Sequence, residues 1–447
     1  MTPEADIRPM RIGFISTRIA GSDGVSLEIG KWAEILERMG HTCFYIAGLS
    51  DRPPERTRII PEAHFKHPLI EQINSEVFGR LIRSPDITRI IHETIWVIKR
   101  KLRAVISELQ LDLIILENCV TIPLNIPLGV ALVEYVMETG IPCIAHHHDF
   151  YWERDRFLVN AVGDYLNVAF PPALPQMQHV VINTPAGQEF SRRTGLPCRI
   201  IPNVMDFDHP PPPPDEYSQD LRQDLGLSAD DIMILQPTRV VQRKGIEHAI
   251  ELIRYLDDPR CKLVISHSPG DEGDRYLRRI LRYAETLGVP VILAYDRIDY
   301  QRGTTPDGRK IYSVWDAYQH ANFVTYPSTY EGFGNAYLEA IYFRKPILCN
   351  RYAIFRTDIE PCGFKIVMME GFLTDETVKE VRRILNDPDY RREMVEHNYQ
   401  VGRQYFSYAR VVDELIALLA KPNLTPCPPR GPRWHGFRYF NLPPAFQ

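Results

Sequence analysis

The residue types best suited to chemistry gather around Glu331 and Glu339, two carboxylates with seven residues between them in E-G-F-G-N-A-Y-L-E. Tyr326 to Asn350 reads as a strand end, a loop with two glycines, and a helix that starts near Asn335 and stops before Pro346. Ala336, Leu338, Ala340, Ile341 and Phe343 give that helix a broad apolar face. Glu331 then lies in the loop, and Glu339 falls about 6 Å into the helix at ~1.5 Å per residue. The free N–H groups and dipole of a helix start near Gly334 and Asn335 attract phosphate, and the glycines let a ligand approach the backbone. A ligand that offers phosphate to amides and hydroxyls to two carboxylates is a nucleotide-sugar. Taken alone, E-G-F-G also reads as a glycine turn between solvated glutamates.

A second group is cationic. In Q-P-T-R-V-V-Q-R-K-G-I, Arg239 and Lys244 bracket a loop between a strand and a helix opened by Gly245. Two cations at such a place suit a diphosphate, although basic loop residues are also commonly solvated. Farther upstream, I-P-C-I-A-H-H-H-D-F ends a strand in His146, His147, His148 and Asp149. Successive strand residues face opposite ways, so the three imidazoles cannot converge on one ion, and no metal is expected. Locally, His148 is more readily structural than catalytic. The loop from Gly21 to Ser26 follows the first strand where a doubly wound sheet binds ligands, yet it also serves as a plain strand-to-helix turn. It is not G-x-G-x-x-G, which argues against a dehydrogenase. Asp206-Phe207-Asp208 matches a metal-holding D-x-D, but it abuts a proline run and reads as turn residues.

E-G-F-G-N-A-Y-L-E, followed by an apolar helix and K-P-hydrophobic, resembles the signature of the retaining glycosyltransferases of the group 1 type, family 4. Further matches cover most of Arg11 to Leu419. The resemblance implies a GT-B architecture, α/β, with two facing Rossmann-like doubly wound domains and an interdomain cleft. It implies transfer of a hexose from a UDP- or GDP-sugar to an acceptor hydroxyl with retention of configuration, the leaving phosphate taking the acceptor's proton. No cofactor and no metal are then required. The donor-binding set it implies is Gly24, Arg239, Lys244, Glu331, Phe333, Gly334, Asn335 and Glu339, with Glu331 on hexose hydroxyls and Glu339 on ribose hydroxyls. Ser22, Asp23, Asp149 and Arg154 face the acceptor, and His148, Arg239, Lys244 and Glu331 form the catalytic set. Asn335 and Tyr337 stand where relatives vary. E-A-I-Y-F-R-K-P-I-L-C-N-R-Y-A-I-F is similar to enzymes that glycosylate small soluble acceptors of the glucosylglycerate type. Three rival expectations are a nucleotide-sugar epimerase or hydrolase on the same scaffold, a nucleotide-sugar-binding regulator without turnover, and a metal-dependent transferase, which would lose activity in chelator.

The elements around these residues fit two domains. At 447 residues the chain exceeds one ordinary core, and 44% apolar with 24% charged residues is globular composition. A net charge of −5 with scattered basic residues leaves no footprint for nucleic acid. No apolar run is long enough to span a bilayer, M-T-P-E-A-D-I-R-P-M lacks a secretory core, and the cytoplasm is the expectation. Eight scattered cysteines without a C-x-x-C pair suggest reduced, mostly buried thiols.

Boundaries follow from composition. Residues 1–208 read as an N-terminal acceptor domain, and 209–218, with five consecutive prolines, as a stiff linker. Residues 219–403 read as the donor domain, and the resemblance makes 404–421 a helix crossing back to the first domain. The stretch 51–112 is expected to be mostly helical, and the loop after V-I-L-A-Y-D is where the resemblance puts the nucleobase. The tail 422–447, rich in proline and aromatics, is compatible with wrapping the first domain, packing in a homodimer or staying loose.

Overall fold

The computed structural model describes residues 8–21, 23–270 and 273–420, so Ser22 and the 422–447 tail lie outside the described residues. The chain opens with β1 (Arg11–Ile15), α1 (Gly24–Arg38), β2 (Thr42–Ala47), β3 (Thr57–Ile59), α2 (Pro68–Val77) and α3 (Pro85–Leu109). It continues through β4 (Leu113–Glu117), α4 (Ile126–Thr139), β5 (Cys143–His147), α5 (Asp155–Leu158) and α6 (Gly163–Ala169). β6 (Met177–Val181), α7 (Thr184–Thr194) and β7 (Arg199–Ile200) complete the first half. These strands form a seven-stranded sheet in the order β3-β2-β1-β4-β5-β6-β7. Each neighbouring pair is parallel, as crossover helices require. Every residue of β4 and of β5 is buried, because helices cover both faces of the sheet.

The second half repeats the plan. It comprises α8 (Leu221–Asp224), β8 (Ile232–Gln236), α9 (Ile246–Leu256), β9 (Cys261–Ile265), α10 (Arg275–Leu287) and β10 (Val291–Leu293), then β11 (Ile298–Asp299), β12 (Gly303–Thr304) and β13 (Lys310–Ser313). α11 (Val314–His320), β14 (Phe323–Tyr326), α12 (Asn335–Tyr342), β15 (Ile347–Asn350), β16 (Val367–Met369), α13 (Asp375–Asn386), α14 (Pro388–Tyr405) and α15 (Tyr408–Leu419) follow. Its six-stranded sheet has the order β10-β9-β8-β14-β15-β16, again parallel throughout. In each sheet the strand order reverses once, between β1 and β4 and between β8 and β14. Ligands of doubly wound sheets bind outside the strands' carboxyl ends at such reversals.

The prolines from Pro210 to Pro214 carry no regular structure and lie along the second half, where Gln319 donates to the Pro212 carbonyl at 2.8 Å. The chain crosses back after α14, and Met205 N donates to the Phe406 carbonyl at 2.9 Å in an isolated parallel bridge between Met205 and Ser407. α15 then packs on α1, where the Tyr408 hydroxyl donates to Glu34 at 3.0 Å. The two crossings therefore run side by side.

The 51–112 stretch is mostly helical, as expected, and adds β3, which extends the sheet edge by pairing Thr57 with Tyr45. The segment after V-I-L-A-Y-D folds into a small sheet, β11-β13-β12, rather than an open loop. Asp206 and Asp208 are engaged by Arg38 and by Arg403, as turn residues would be. Among the described residues the seven cysteines are free thiols, five of them buried.

Candidate active site

On the second domain, the loops after β8 and β14 are stitched together. Thr329 N donates to the Arg243 carbonyl at 2.8 Å, and the turn Gln242–Lys244 ends at Gly245 with φ of 58°. A side chain on Gly245 would put its Cβ 2.5 Å from the Pro327 carbonyl oxygen, so this close approach needs glycine. The stitching brings the Lys244 ammonium onto Glu331 Oε1, while Arg243 Nη1 donates to Glu331 Oε2 at 3.1 Å. Lys244 and Glu331 are each only 8% exposed. Burial pushes the Glu331 carboxyl up, but Lys244 and Arg243 outweigh it and hold it below the usual carboxylate range. Glu331 is therefore a fixed negative charge under two cations.

Arg239 is exposed beside Gly270 and meets no acceptor among the described residues. Its charge and that of Lys244 add to burial in lowering His267 to about 4, so Arg239, Lys244 and His267 share one field. That field is a cationic rim on the second domain.

The start of α12 borders the same space. Gly334 has φ of 124°, and a Cβ there would lie 2.5 Å from the Tyr352 hydroxyl, which itself donates to the Phe333 carbonyl at 2.6 Å. Asn335 accepts from Asn203 of the first domain at 2.6 Å, and its Nδ2 would be 3.5 Å from a Cβ on Gly24. The openings of α1 and α12 thus face each other. The Phe333 ring turns into the interior against Phe406, 5.5 Å between centroids. Tyr337 is likewise interior, between Phe355 and Phe364. Glu339 accepts from the Tyr318 hydroxyl at 3.0 Å, and burial raises its pKa against the pull of Lys31 on α1. Lys31 pairs with the buried Glu28 at 2.6 Å.

On the first domain, alternation along β5 divides the histidines as expected. His147 turns to His179, Nε2 to Nδ1 at 2.9 Å, whereas His146 and His148 share the opposite side with Glu117 from the end of β4. Glu117 approaches His146 Nδ1 at 3.1 Å and His148 Nε2 at 3.0 Å. The ligand-type atoms of these three residues lie within 4.8 Å of one another. In this arrangement the carboxylate bonds both rings directly. Burial alone would raise Glu117, but the two imidazoles hold it at about 2. Burial works against the His148 imidazolium, and the Glu117 bond and charge more than offset it, so His148 titrates above its ordinary value.

The remaining acceptor-side residues are tied to these. Asp149 accepts from Asn118 at 2.9 Å and from Arg154 Nε at 2.6 Å. Tyr330 of the second domain is held up at about 12 by burial and then by Glu153 and Asp149, with Arg154 opposing, so it faces this group across the cleft. Gly332 runs against the first domain, 3.3 Å from the His148 carbonyl oxygen to a Cβ position, and accepts from Asn183 at 2.7 Å. Asp23 spends both oxygens on capping α1 and on Arg18. It is a helix cap here, with its side chain still partly exposed.

The structure thus gathers Lys244, Glu331, Gly334, Asn335 and Gly24 around the cleft, with Arg239 at its rim and His148, Asp149 and Arg154 opposite. Sequence reasoning passed over Glu117, Arg243, Asn183 and Asn203. A single charge closing the apolar run L-I-I-L-E could have flagged Glu117, and adjacency to Lys244 could have flagged Arg243.

Residues 309–401 match the family model described as glycosyl transferases group 1. Mannosylglucosylglycerate synthase of Thermotoga maritima is 32% identical over 442 residues, covering 91% of this chain and 99% of that protein. The protein of the same name from Petrotoga mobilis is 32% identical over 388 residues, 80% of this chain and 86% of that one. Among solved structures, a glycosyltransferase from Rickettsia africae superposes with a TM-score of 0.64 at 14% identity, covering 92% of this chain and 98% of that one. HepE of Anabaena, in complex with UDP and glucose, gives 0.61 at 14% identity over 92% and 99% of the two chains. Such low identities carry the fold, and the two full-length relatives carry the kinship: the chain belongs to the group 1 glycosyltransferases and has their two-domain GT-B architecture.

Proposed function

We propose that this glycosyltransferase moves a hexose from a UDP- or GDP-sugar to a hydroxyl of a small soluble acceptor of the glucosylglycerate type, with retention of configuration. The observation that carries the donor half is the buried Glu331 held by Lys244 and Arg243 at the cleft, beside the start of α12. Cations and helix amides there would stabilise the charge that grows on the departing diphosphate, and preorganised dipoles of this kind are often the largest catalytic contribution. The acceptor half rests on the two relatives, whose name is that of a synthase of a glycosylated glycerate.

In the proposed step the bond from the anomeric carbon to the diphosphate oxygen breaks, and the acceptor oxygen bonds to the same face. The acceptor's proton passes to the leaving phosphate. Glu331 positions hexose hydroxyls, Glu339 the ribose, and His148 with its raised pKa donates to a sugar oxygen on the acceptor-facing side. No metal has an obligatory part in this scheme, so chelator leaves the rate unchanged.

The test is a matrix of UDP- and GDP-hexoses against glucosylglycerate and glycerate, with product detected by mass spectrometry and anomeric configuration by NMR. An α-linked product that forms only with acceptor supports the reading. Nucleotide release at one rate with and without acceptor would favour a hydrolase, and loss of activity in chelator would remove the metal-free step.

A further inference from the structure

A second charged concavity lies outside the cleft. A groove of about 1270 Å³ runs between α9 and α10 and reaches the turn at Gln242, Arg243 and Thr329. Lys244, Glu331 and Arg239 do not line it, so it is separate from the site described above. Five arginines border it: Arg243, Arg275, Arg278, Arg279 and Arg282.

The sequence dictates this stripe. In R-Y-L-R-R-I-L-R-Y-A, arginines recur at the three- and four-residue spacing that shares one helical face, while Leu277, Ile280 and Ala284 bury the other. Like charges at that spacing repel one another. The acidic groups in the groove do little to relieve this. Glu247 is taken by Arg279 at 3.2 Å and by the Tyr276 hydroxyl, and Glu251 by the Tyr283 hydroxyl at 2.7 Å and His248 at 2.9 Å. Among the described residues, Arg275, Arg278 and Arg282 meet no carboxylate.

We propose that this groove binds a small metabolite carrying two phosphate groups, and that Arg243 connects its occupancy to the donor site. Guanidinium forks match phosphate oxygens in pairs, and Arg275 to Arg282 spans about 10 Å along the helix at ~1.5 Å per residue, enough to engage two separate phosphates. Arg243 lines the groove and donates to Glu331 Oε2 at 3.1 Å. An anion in the groove competes for that guanidinium and frees a lone pair of Glu331 for sugar hydroxyls. The binding stands independently of the proposed function; the coupling rests on Glu331 acting at the donor site.

Calorimetry with fructose bisphosphate as the probe tests the binding on the full chain. It compares the wild type, the double variant Arg278→Ser with Arg282→Ser, and Arg239→Ala, whose exposed side chain makes folding safe. The double variant is expected to weaken the probe about tenfold or more and Arg239→Ala by less than about threefold. UDP or GDP, if the donor reading holds, shows the reverse pattern, so each proposal can fail alone. No binding at millimolar probe, equal binding by the double variant, or loss confined to Arg239→Ala would overturn the groove. Binding of anionic phosphatidylglycerol vesicles, lost in the double variant without any binding of the probe, would overturn it in favour of a membrane surface. In turnover assays the probe lowers the donor KM of the wild type at least about threefold and leaves that of the double variant unmoved; an unmoved wild-type KM would overturn the coupling.

Discussion

Two buried carboxylates stand at the reversal points of the two sheets, and they are held differently. Glu331 follows β14 and is gripped by a lysine and an arginine, which hold its carboxyl below the usual range, while burial lowers Lys244. Glu117 ends β4 and is gripped by two imidazoles, of which burial lowers His146 while the Glu117 contact raises His148. The same device, a carboxylate between two nitrogen bases, is built in one domain from side chains whose ordinary pKa lies far above neutrality and in the other from imidazoles, whose ordinary pKa lies close to it.

The largest break in that contrast is Lys244→Ala. It leaves Glu331 buried without its nearest cation, and removal of one partner of such a pair costs about 3–5 kcal/mol of stability. The expected result is a lower urea midpoint with kcat/KM down about a hundredfold or more. Gly334→Ala comes next, because a Cβ would meet the Tyr352 hydroxyl at 2.5 Å and φ of 124° disfavours any side chain. About 2 kcal/mol of destabilisation, read from the same midpoint, is expected.

Glu117→Gln probes the other side. It keeps the shape and removes the charge, so turnover falls about tenfold, or ~1.4 kcal/mol, and the imidazole of His148 titrates at lower pH by NMR. The pair's stability contribution also has a window. Glu117 is depressed from 4.5, so its share is lost as pH falls toward about 2. His148 is raised above 6.5, so its share is fully present below that value and fades as pH climbs through the folded pKa. Wild type minus variant stability should therefore peak between those two ordinary values. Glu339→Gln is the mildest: burial already raises this carboxyl, and donor KM should rise about threefold, roughly 0.7 kcal/mol.

How much of this was legible in the sequence depends on how local each contact is. E-G-F-G and R-K-G are contiguous, and each sits where strand turns to helix, so the local pattern placed Glu331 and Lys244 at the sheet edge and the family resemblance gave them a ligand. The two-domain plan followed from the alternation of strand and helix and from the proline run. Glu117 escaped because its partners lie 29 and 31 residues away on a different strand, and register across a parallel sheet is not written locally. Asn183 and Asn203 escaped for the same reason, with bonds that span 149 and 132 residues between the domains. Tyr337 misleads in the opposite way: its position in the motif suggests ligand contact, yet it fills the core. Glu28 adds a further surprise: a charge inside the buried stripe of α1, paired to Lys31.

The most direct measurement is product formation from GDP- or UDP-hexose and glucosylglycerate by the wild type and by Lys244→Ala, Glu331→Gln and Glu117→Gln, with a pH profile for each. The account predicts an acceptor-dependent glycoside from the wild type, near-complete loss across all pH values in the two donor-side variants, and a profile displaced to lower pH in Glu117→Gln. A displaced profile in the donor-side variants with an unmoved one in Glu117→Gln, or nucleotide release indifferent to acceptor, would contradict it.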